Sequence, residues 1–320
     1  MKLRALGTTG LDIAPLVLGG NVFGWTLNEK ESFAVLDAFL DHGFNAIDTA
    51  DVYTAWVPGN QGGESETIIG KWLKARPGAR ERVVLFTKVG CDVDGSPKKG
   101  GLSRPSILAA ADRSLARLGV ETIDVYFSHY PDGDTPPSET LSAYEHLMSA
   151  GKVKAIGASN MDAGKIREAL DVADREGLPE YKVVQPEYNL YSRDKFEGPL
   201  QDLCLKRGIG VANYYGLAAG FLTGKYRSAD DYGKSVRGGR MSRYLNDRGT
   251  RILDALETVA DHHSAAMGEV ALAWLMAQGG ITAPIASATH VDHVTSFARA
   301  CGLRLSDHDR KTLDMAGSST

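Results

Sequence analysis

The sequence predicts an α/β protein that folds as one (β/α)8 barrel, a single domain over residues 1–320. Short β-rich runs alternate with longer amphipathic stretches, and eight such runs are each followed by a helical segment. Regular βα alternation over about 250 residues is typical of a (β/α)8 barrel. A doubly wound sheet shows the same alternation and is the competing fold. The sequence contains no GxGxxG fingerprint, which disfavours a dinucleotide-binding sheet of that kind.

The predicted strands are short apolar runs bounded by glycine or polar residues. They are assigned to 16–20, 44–48, 83–88, 123–129, 153–160, 183–189, 208–215 and 281–287. The predicted helices carry apolar residues on one face. They are assigned to 29–42, 64–73, 103–118, 139–150, 161–175, 195–206, 250–263, 269–277 and 291–300.

Three further segments complete the predicted fold. Residues 1–13 are expected to form a small hairpin, with Gly7 and Gly10 supplying the turn. The connections 90–101 and 216–248 are long. Both should lie at the carboxyl-terminal face, where barrel enzymes bind their ligands.

Composition excludes several classes of protein. The formal net charge is −4, with 36 basic and 40 acidic residues, so the basic excess of a nucleic-acid-binding protein is missing. Three distant cysteines, Cys91, Cys204 and Cys301, form neither a disulfide framework nor a CxxC metal site, and they favour a reducing compartment. The amino terminus lacks the apolar stretch of a signal peptide, and the longest apolar run, 270–277, is too short to span a bilayer. We therefore expect a soluble, cytoplasmic protein without a membrane partner.

Three consecutive predicted strands end in ionisable residues, namely Asp48, Lys88 and His129, and Tyr53 follows the first of them. Strand ends converge on one mouth of a barrel, so these four side chains are expected to meet. A lysine ammonium should lower the pKa of a neighbouring phenol, and an aspartate would keep that ammonium charged. A histidine nearby can hydrogen-bond a substrate carbonyl. Each residue alone has an ordinary structural explanation, but together they suit protonation of an oxygen as hydride reaches carbon.

Six segments closely resemble the aldo-keto reductase family. They are IDTADVY (47–53), FTK (86–88), DVYFSHYPD (124–132), GKVKAIGASN (151–160), QPEYNLY (185–191) and GFLTGKY (220–226). The resemblance implies a (β/α)8 barrel that reduces a carbonyl with a nicotinamide cofactor. It also implies a catalytic tetrad of Asp48, Tyr53, Lys88 and His129, with Tyr53 as the general acid. The LTGKY segment and the long loops resemble the bacterial and potassium-channel β-subunit branches more than aldose reductase.

The resemblance also implies a cofactor site. Ser159, Asn160 and Gln185 would bind the nicotinamide carboxamide, and Tyr214 would stack on the ring. The pyrophosphate would lie along Leu217, Ala218, Gly220 and Lys225.

The chain departs from the family pattern in two places. Tyr215 and Gly216 stand where most members have Ser-Pro. At the adenine end, Thr289, His293 and Phe297 occupy the Arg/Ser, Gln and Asn positions. His290 and His293 lie three apart on a predicted helix, but no third ligand has suitable spacing, so we predict no metal site.

The cofactor is predicted to be NADP(H), because its 2′-phosphate requires nearby positive charge. The connection after Gly224 contains the densest basic run of the chain, which comprises Lys225, Arg227, Lys234, Arg237, Arg240 and Arg243. Arg240 is the member of this run that we assign to the cofactor site, beside Lys225. NAD(H) remains the alternative, because Thr289 stands where many relatives have an arginine.

The predicted substrate site is aromatic. Phe23, Trp25, Trp56 and Tyr130 all fall just after predicted strands, and apolar pockets with a few polar groups bind small organic molecules. The loop 55–66 contains polar residues suited to hydroxyl groups, which would favour a sugar-like substrate. These are Asn60, Gln61 and Glu64.

The sequence leaves several functions open. The first is an NADP(H)-dependent reductase of a small carbonyl compound, reversible as an alcohol dehydrogenase. The second is a cofactor-sensing regulatory barrel with little turnover. An NAD-dependent sugar or alcohol dehydrogenase of the same fold is a third, and a barrel hydrolase or aldolase that uses Lys88 as a Schiff base is a fourth.

Overall fold

The computed structural model describes residues 1–318, and it confirms the predicted barrel. An antiparallel hairpin opens the chain, formed by β1 (Arg4–Ala5) and β2 (Asp12–Ile13). The barrel strands are β3 (Val17–Gly19), β4 (Ala46–Asp48), β5 (Val84–Val89), β6 (Ile123–Ser128), β7 (Val153–Ser159), β8 (Val183–Gln185), β9 (Gly210–Val211) and β10 (Ile285–Ala286).

These eight strands form one sheet in the order β10-β3-β4-β5-β6-β7-β8-β9, and every pair is parallel. The first and last strands of that order, β10 and β9, also lie next to each other. Backbone N–H groups of Thr282 and Ala283 donate to the carbonyl of Val211, and that of Ile285 donates to Asn213. These hydrogen bonds close the sheet into a barrel, and all strands end at one mouth.

Helices surround the sheet. They are α1 (Glu29–Asp41), α2 (Glu64–Ala75), α3 (Arg104–Leu118), α4 (Pro137–Ser149), α5 (Ala163–Glu176), α6 (Pro199–Arg207), α7 (Asp247–His263), α8 (Met267–Ala277), α9 (Val291–Gly302) and α10 (Asp307–Gly317). Within residues 1–318, no helix has the length and apolar character needed to cross a membrane. All predicted helices are present, and α10 is additional.

The amino-terminal hairpin closes the end of the barrel opposite the mouth. Leu6 and Ile13 join the apolar cluster inside the barrel, which includes Phe86 and Phe127. Gly7 has a φ of +55°, and a Cβ there would lie 2.3 Å from the backbone nitrogen of Gly210. Glycine is required at this contact, since any side chain would push the hairpin away from β9. The hairpin therefore covers the amino-terminal end of the barrel.

The two long connections lie at the carboxyl-terminal ends of β5 and β9, as predicted. The second is not structureless, since it contains three 3-10 helices at Ala218–Thr223, Ala229–Lys234 and Gly238–Arg243. Backbone strain also concentrates at this face. Within residues 1–318, six residues other than glycine have a positive φ, and five of them follow barrel strands: Thr54, Asn160, Tyr215, Ala218 and Ala219. Strained backbone clusters at functional sites.

Asp309 connects helix α10 to helix α7, and this contact should make the stability of the protein depend on pH. Burial opposes ionisation of Asp309, but hydrogen bonds from His263 and Ser306 outweigh it and lower the pKa of the carboxyl to about 2. A depressed pKa contributes stability above the unfolded value of about 3.9, and this is lost as pH falls toward 2. We expect Asp309→Asn to lower the free energy of unfolding at pH 7 by about 1–2 kcal/mol. Urea titrations should show that the difference in free energy of unfolding between the wild type and Asp309→Asn shrinks between pH 4 and pH 2. A difference that stays constant with pH would contradict this role of Asp309.

Candidate active site

Four side chains from consecutive strand ends meet at the mouth of the barrel, as the sequence predicts. Asp48 ends β4, Lys88 lies in β5, and His129 follows β6. The Lys88 ammonium lies 2.7 Å from Asp48 Oδ2 and 2.8 Å from the hydroxyl oxygen of Tyr53. The Tyr53 hydroxyl donates to Asp48 Oδ2 at 3.1 Å, and the ring of His129 lies 6.1 Å from that of Tyr53.

Lys88 is fully enclosed. Its side chain is 0% exposed, and Nζ donates to Asp48, Tyr53 and the carbonyl of Thr49, the last at 2.8 Å. An ammonium has three protons, so each is used. This arrangement disfavours the aldolase hypothesis, because a Schiff-base lysine must present a free amine to its substrate.

The pKa of Tyr53 differs from the expectation drawn from its lysine neighbour. Burial, followed by the negative charge of Asp48 and the hydrogen bond to it, raises the pKa of the phenol well above its usual value. The expected lowering by Lys88 is therefore wrong for the protein alone, because burial and the Asp48 carboxylate together outweigh the ammonium. Tyr53 is accordingly fully protonated at neutral pH, which is the form that can donate a proton.

His129 is neutral at physiological pH. Burial, together with the charge of Lys88, holds the pKa of the imidazole well below its ordinary value. Its Nδ1 is buried and has no hydrogen-bond partner among residues 1–318. Tyr130 stacks on the ring, with centroids 5.3 Å apart. The imidazole is thus fixed beside Tyr53 and suits hydrogen bonding with a neutral oxygen.

The residues expected to hold the nicotinamide form one network with the tetrad. Gln185 Nε2 donates to Asp48 Oδ1 at 2.9 Å, and the backbone carbonyl oxygen of Gln185 accepts from the Ser159 hydroxyl at 2.8 Å. Asn160 Nδ2 donates to the His129 carbonyl at 2.9 Å, and its Oδ1 accepts from the Tyr214 hydroxyl at 2.8 Å. Hydrogen bonds therefore connect the ends of five strands, β4, β6, β7, β8 and β9, around one space.

The segment expected to lie along the cofactor pyrophosphate has an unusual backbone conformation. Ala218 has a φ of +48° and Gly220 a φ of +100°, and Leu217 caps the first 3-10 helix. A Cβ on Gly220 would lie 3.4 Å from the ammonium of Lys225. The missing side chain therefore lets a positive charge approach a tightly turned backbone, an arrangement that suits an anion.

The basic run divides into two groups. Arg227 pairs with Asp254 and Glu257, while Lys234 pairs with Asp231 and Arg243 with Glu187. The other three cations of the run form no ion pair with a carboxylate within residues 1–318. They are Lys225, Arg237 and Arg240.

The sequence marks Arg237 only as one member of the basic run, although its environment in the fold is distinctive. Its Nη2 is buried without a hydrogen-bond partner in the described chain. Its guanidinium carbon lies 5.1 Å from the centre of the Trp25 ring, and Arg240 contacts the Tyr215 hydroxyl at 3.4 Å. The long connection thus reaches across the mouth to the β3 side.

Of the residues expected at the adenine end of the cofactor, Thr289 and His293 can face a ligand, whereas Phe297 cannot. The backbone N–H of Thr289 donates to His293 Nδ1 at 3.1 Å. Burial, then the charges of His290 and Lys225, lowers the pKa of His293. Phe297 is 3% exposed and packs in the core, so its ring does not face a ligand. No group of three or more metal-ligating side chains occurs within residues 1–318.

The substrate side of the mouth is aromatic. Trp56 is 44% exposed, and its ring meets that of Trp25 edge-on at 5.5 Å and that of Tyr53 at 6.3 Å. Tyr130 completes this wall through its stack on His129. Phe23 does not belong to it: the ring is 0% exposed within the main core, so its assignment to the substrate site is corrected.

The polar residues of the loop 55–66 are mostly occupied. Asn60 donates to the carbonyls of Gly24 and Thr54, both at 3.2 Å. The Glu64 carboxylate accepts from the Thr54 hydroxyl and from the backbone of Gln61 and Gly62. Asn60 and Glu64 therefore hold the loop together instead of offering hydrogen bonds to sugar hydroxyls.

Comparison with known proteins gives the same family as the sequence motifs. Residues 15–317 match the model of the aldo/keto reductase family. A probable voltage-gated potassium channel β-subunit of Arabidopsis thaliana is 32% identical over 94% of this chain and 91% of its own length. An aldo-keto reductase of Fusarium vanettenii is 31% identical over 97% of this chain and 90% of its own. An uncharacterized 11.2 kDa protein of Pseudescherichia vulneris is 71% identical, but over only 29% of this chain. The chain belongs to the aldo/keto reductase family of oxidoreductases.

Proposed function

We propose that this protein reduces small, predominantly apolar aldehydes or ketones with NADP(H), reversibly, and that Tyr53 is the general acid. The contact of the Tyr53 hydroxyl with both Lys88 and Asp48 carries the proposal. A protonated phenol whose oxygen is held by an ammonium suits proton transfer to a carbonyl oxygen.

Each residue of the tetrad has a distinct role in this proposal. A bound nicotinamide cofactor supplies the hydride that reaches the carbonyl carbon. Tyr53 gives its proton to the carbonyl oxygen, and Lys88, already bonded to the phenol oxygen, stabilises the phenolate that remains. Asp48 keeps Lys88 charged, and neutral His129 orients the carbonyl oxygen by a hydrogen bond.

Three unpaired cations at the mouth support the NADP(H) assignment. A phosphate would satisfy the buried Nη2 of Arg237 and add to the positive field of Lys225 and Arg240. Charge-assisted hydrogen bonds of guanidinium to phosphate are strong, and an unpartnered buried cation is costly. The free protein thus holds three cations without a carboxylate partner within residues 1–318, in the region that we assign to the cofactor phosphates.

We expect NADPH to bind more tightly than NADH, with the difference narrowing as salt rises, because exposed charges are screened. Arg237→Met should weaken NADPH binding by roughly 10- to 100-fold, the size of one charge-assisted hydrogen bond. Arg227→Met is the matched control, since that arginine is already paired with acidic residues. Titration of tryptophan fluorescence gives the dissociation constants of NADPH and NADH for the wild type and both variants. Equal or tighter binding of NADH by the wild type at low salt would favour an NAD-dependent enzyme.

A substrate panel tests the proposed reaction itself. NADPH consumption at 340 nm should be faster with aromatic or aliphatic aldehydes than with sugars of similar size, because the wall of Trp25 and Trp56 is apolar. Preference for polyhydroxylated aldehydes would contradict the assigned substrate class.

A cofactor-sensing regulatory barrel is the second candidate. The observation that favours it is the similarity to a protein named as a probable potassium channel β-subunit, over 94% of this chain. Tight NADPH binding without turnover of any carbonyl compound in the panel would support this candidate over the first.

A further inference from the structure

Lys88 depends on the main chain for one of its three hydrogen bonds. Its Nζ donates to the backbone carbonyl oxygen of Thr49 at 2.8 Å, in addition to its contacts with Asp48 and Tyr53. Thr49 directly follows β4, and its backbone N–H donates to the carbonyl oxygen of Phe86 in β5 at 2.8 Å. The direction of the Thr49 carbonyl therefore helps to decide where the Lys88 ammonium lies.

The side chain of Thr49 is held by Ser65, in the first turn of α2. The Thr49 hydroxyl donates to Ser65 Oγ at 2.8 Å, and the Ser65 hydroxyl donates to the carbonyl oxygen of Gly20 at 2.8 Å. Thr49 and Ser65 are both 0% exposed, so bulk water does not compete for either hydrogen bond. Every polar group of Thr49 is thus engaged, and two buried hydroxyls connect Gly20 to the residue that holds Lys88.

Gly20 permits this contact because it has no side chain. A Cβ there would lie 2.9 Å from the carbonyl oxygen of Asp48 and 3.0 Å from Ser65 Oγ. Both distances are well inside the roughly 3.5 Å at which non-bonded heavy atoms pack. The backbone after β3 can therefore approach α2 closely enough to accept the hydrogen bond from Ser65.

The next residue of the helix, Glu66, anchors the same turn of α2. Its fully buried carboxylate accepts from the Thr87 hydroxyl at 2.5 Å and pairs with Arg117 on α3 at 2.6 Å. Thr87 directly precedes Lys88 in β5. The first turn of α2 is thus fixed against both β5 and α3, which makes Ser65 a rigid partner for Thr49.

We propose that Ser65 is a positioning residue, whose hydroxyl fixes Thr49 so that the Thr49 carbonyl holds the Lys88 ammonium against Tyr53. Loss of the Ser65 hydroxyl leaves the buried Thr49 hydroxyl without its acceptor, which is costly. Thr49 then turns toward another acceptor, and its carbonyl moves away from Lys88. A carbonyl that accepts from an ammonium favours the charged form, so its displacement should lower the pKa of Lys88.

The kinetic test rests on the proposed carbonyl reduction. It uses Ser65→Ala and Thr49→Val, each of which removes one hydroxyl. In both variants kcat should fall roughly 3- to 10-fold, the equivalent of one buried hydrogen bond, while the dissociation constant of NADPH stays unchanged. Because both variants break the same link, the double variant should be no slower than either single variant.

The pH profile separates positioning from a general loss of stability. The alkaline limb of kcat/KM should move to lower pH in Ser65→Ala and in Thr49→Val, because Lys88 loses its proton more readily. The variants leave the charged and titratable groups near Lys88 in place, so the shift reports the Thr49 carbonyl. These groups are Asp48, Asp51, Tyr53, Cys91 and His129.

Two further variants are controls. Thr49→Ser keeps the hydroxyl and should retain the kcat and the pH profile of the wild type. Thr140→Val removes a matched hydroxyl, which is buried near the start of α4 and donates to the carbonyl oxygen of Leu102 at 3.0 Å. It should destabilise the protein to a similar extent without moving the alkaline limb.

A spectroscopic test needs no turnover. In protein labelled with 13C at the lysine Cε atoms, the Lys88 resonance is assigned by its absence in Lys88→Met. This resonance should titrate at lower pH in Ser65→Ala than in the wild type, and at the wild-type pH in Thr140→Val.

Two results would overturn the inference: an unmoved alkaline limb in the folded variants, or identical Lys88 titrations in the wild type and Ser65→Ala. If Ser65→Ala does not fold, Thr49→Val serves for both measurements. If the wild type reduces no carbonyl compound, the proposed function fails, and the NMR titration still decides the role of Ser65.

Discussion

Tyr53→Phe should lower kcat/KM for carbonyl reduction by at least about 100-fold, the range typical of loss of a general acid. The substitution removes only the hydroxyl that lies between Lys88 Nζ, at 2.8 Å, and Asp48 Oδ2, at 3.1 Å. The ring remains to pack near Trp56 and His129. NADPH binding should therefore persist, so that the loss falls on the chemical step.

The control for this substitution is Tyr232→Phe, which removes a hydroxyl from the long connection, outside the tetrad. It should reduce carbonyl compounds at nearly the wild-type rate. If Tyr53→Phe behaved like Tyr232→Phe, another group would have to protonate the substrate, and the assigned general acid would be incorrect.

Lys88→Met is expected to have the second large effect, on both activity and stability. Without the ammonium, nothing at 2.8 Å stabilises the phenolate left by proton transfer, so kcat should fall by roughly 100- to 10,000-fold. Because Lys88 and Asp48 are 0% and 2% exposed, the variant also leaves a carboxylate buried without its cation. Breaking a buried pair in this way costs about 3–5 kcal/mol of folding free energy.

The double variant Asp48→Asn/Lys88→Met separates these two effects. It removes both charges, so urea unfolding should show that much of the lost stability returns. Activity should stay as low as in Lys88→Met. Recovery of turnover together with stability would mean that Lys88 acts only through folding.

The fold was predictable because strands and helices repeat with clear hydrophobic patterns. The missed helix α10 shows the limit of that approach. Of its eleven residues only Asp309, Leu313 and Gly317 are buried, so it lacks an extended apolar face. The available signal was the capping box between Ser306 and Asp309.

The tetrad was predictable because parallel strands end at one mouth, so position along the sequence fixed proximity. Other features depended on contacts that sequence does not specify. The burial of Phe23 and the occupied hydrogen bonds of Asn60 and Glu64 follow from how loops fold back. The raised pKa of Tyr53 follows from its burial and from its contact with Asp48, which only the folded structure shows.

The most direct test of the proposed reaction follows the hydride itself. Wild-type protein is incubated with an aromatic aldehyde and with NADPH that carries deuterium at both positions of the reactive nicotinamide carbon. Mass spectrometry of the alcohol product should find one deuterium on the former carbonyl carbon, and Tyr53→Phe should form this product at least about 100-fold more slowly. An alcohol without deuterium, or no alcohol at all from the panel of carbonyl compounds, would contradict hydride transfer by this protein.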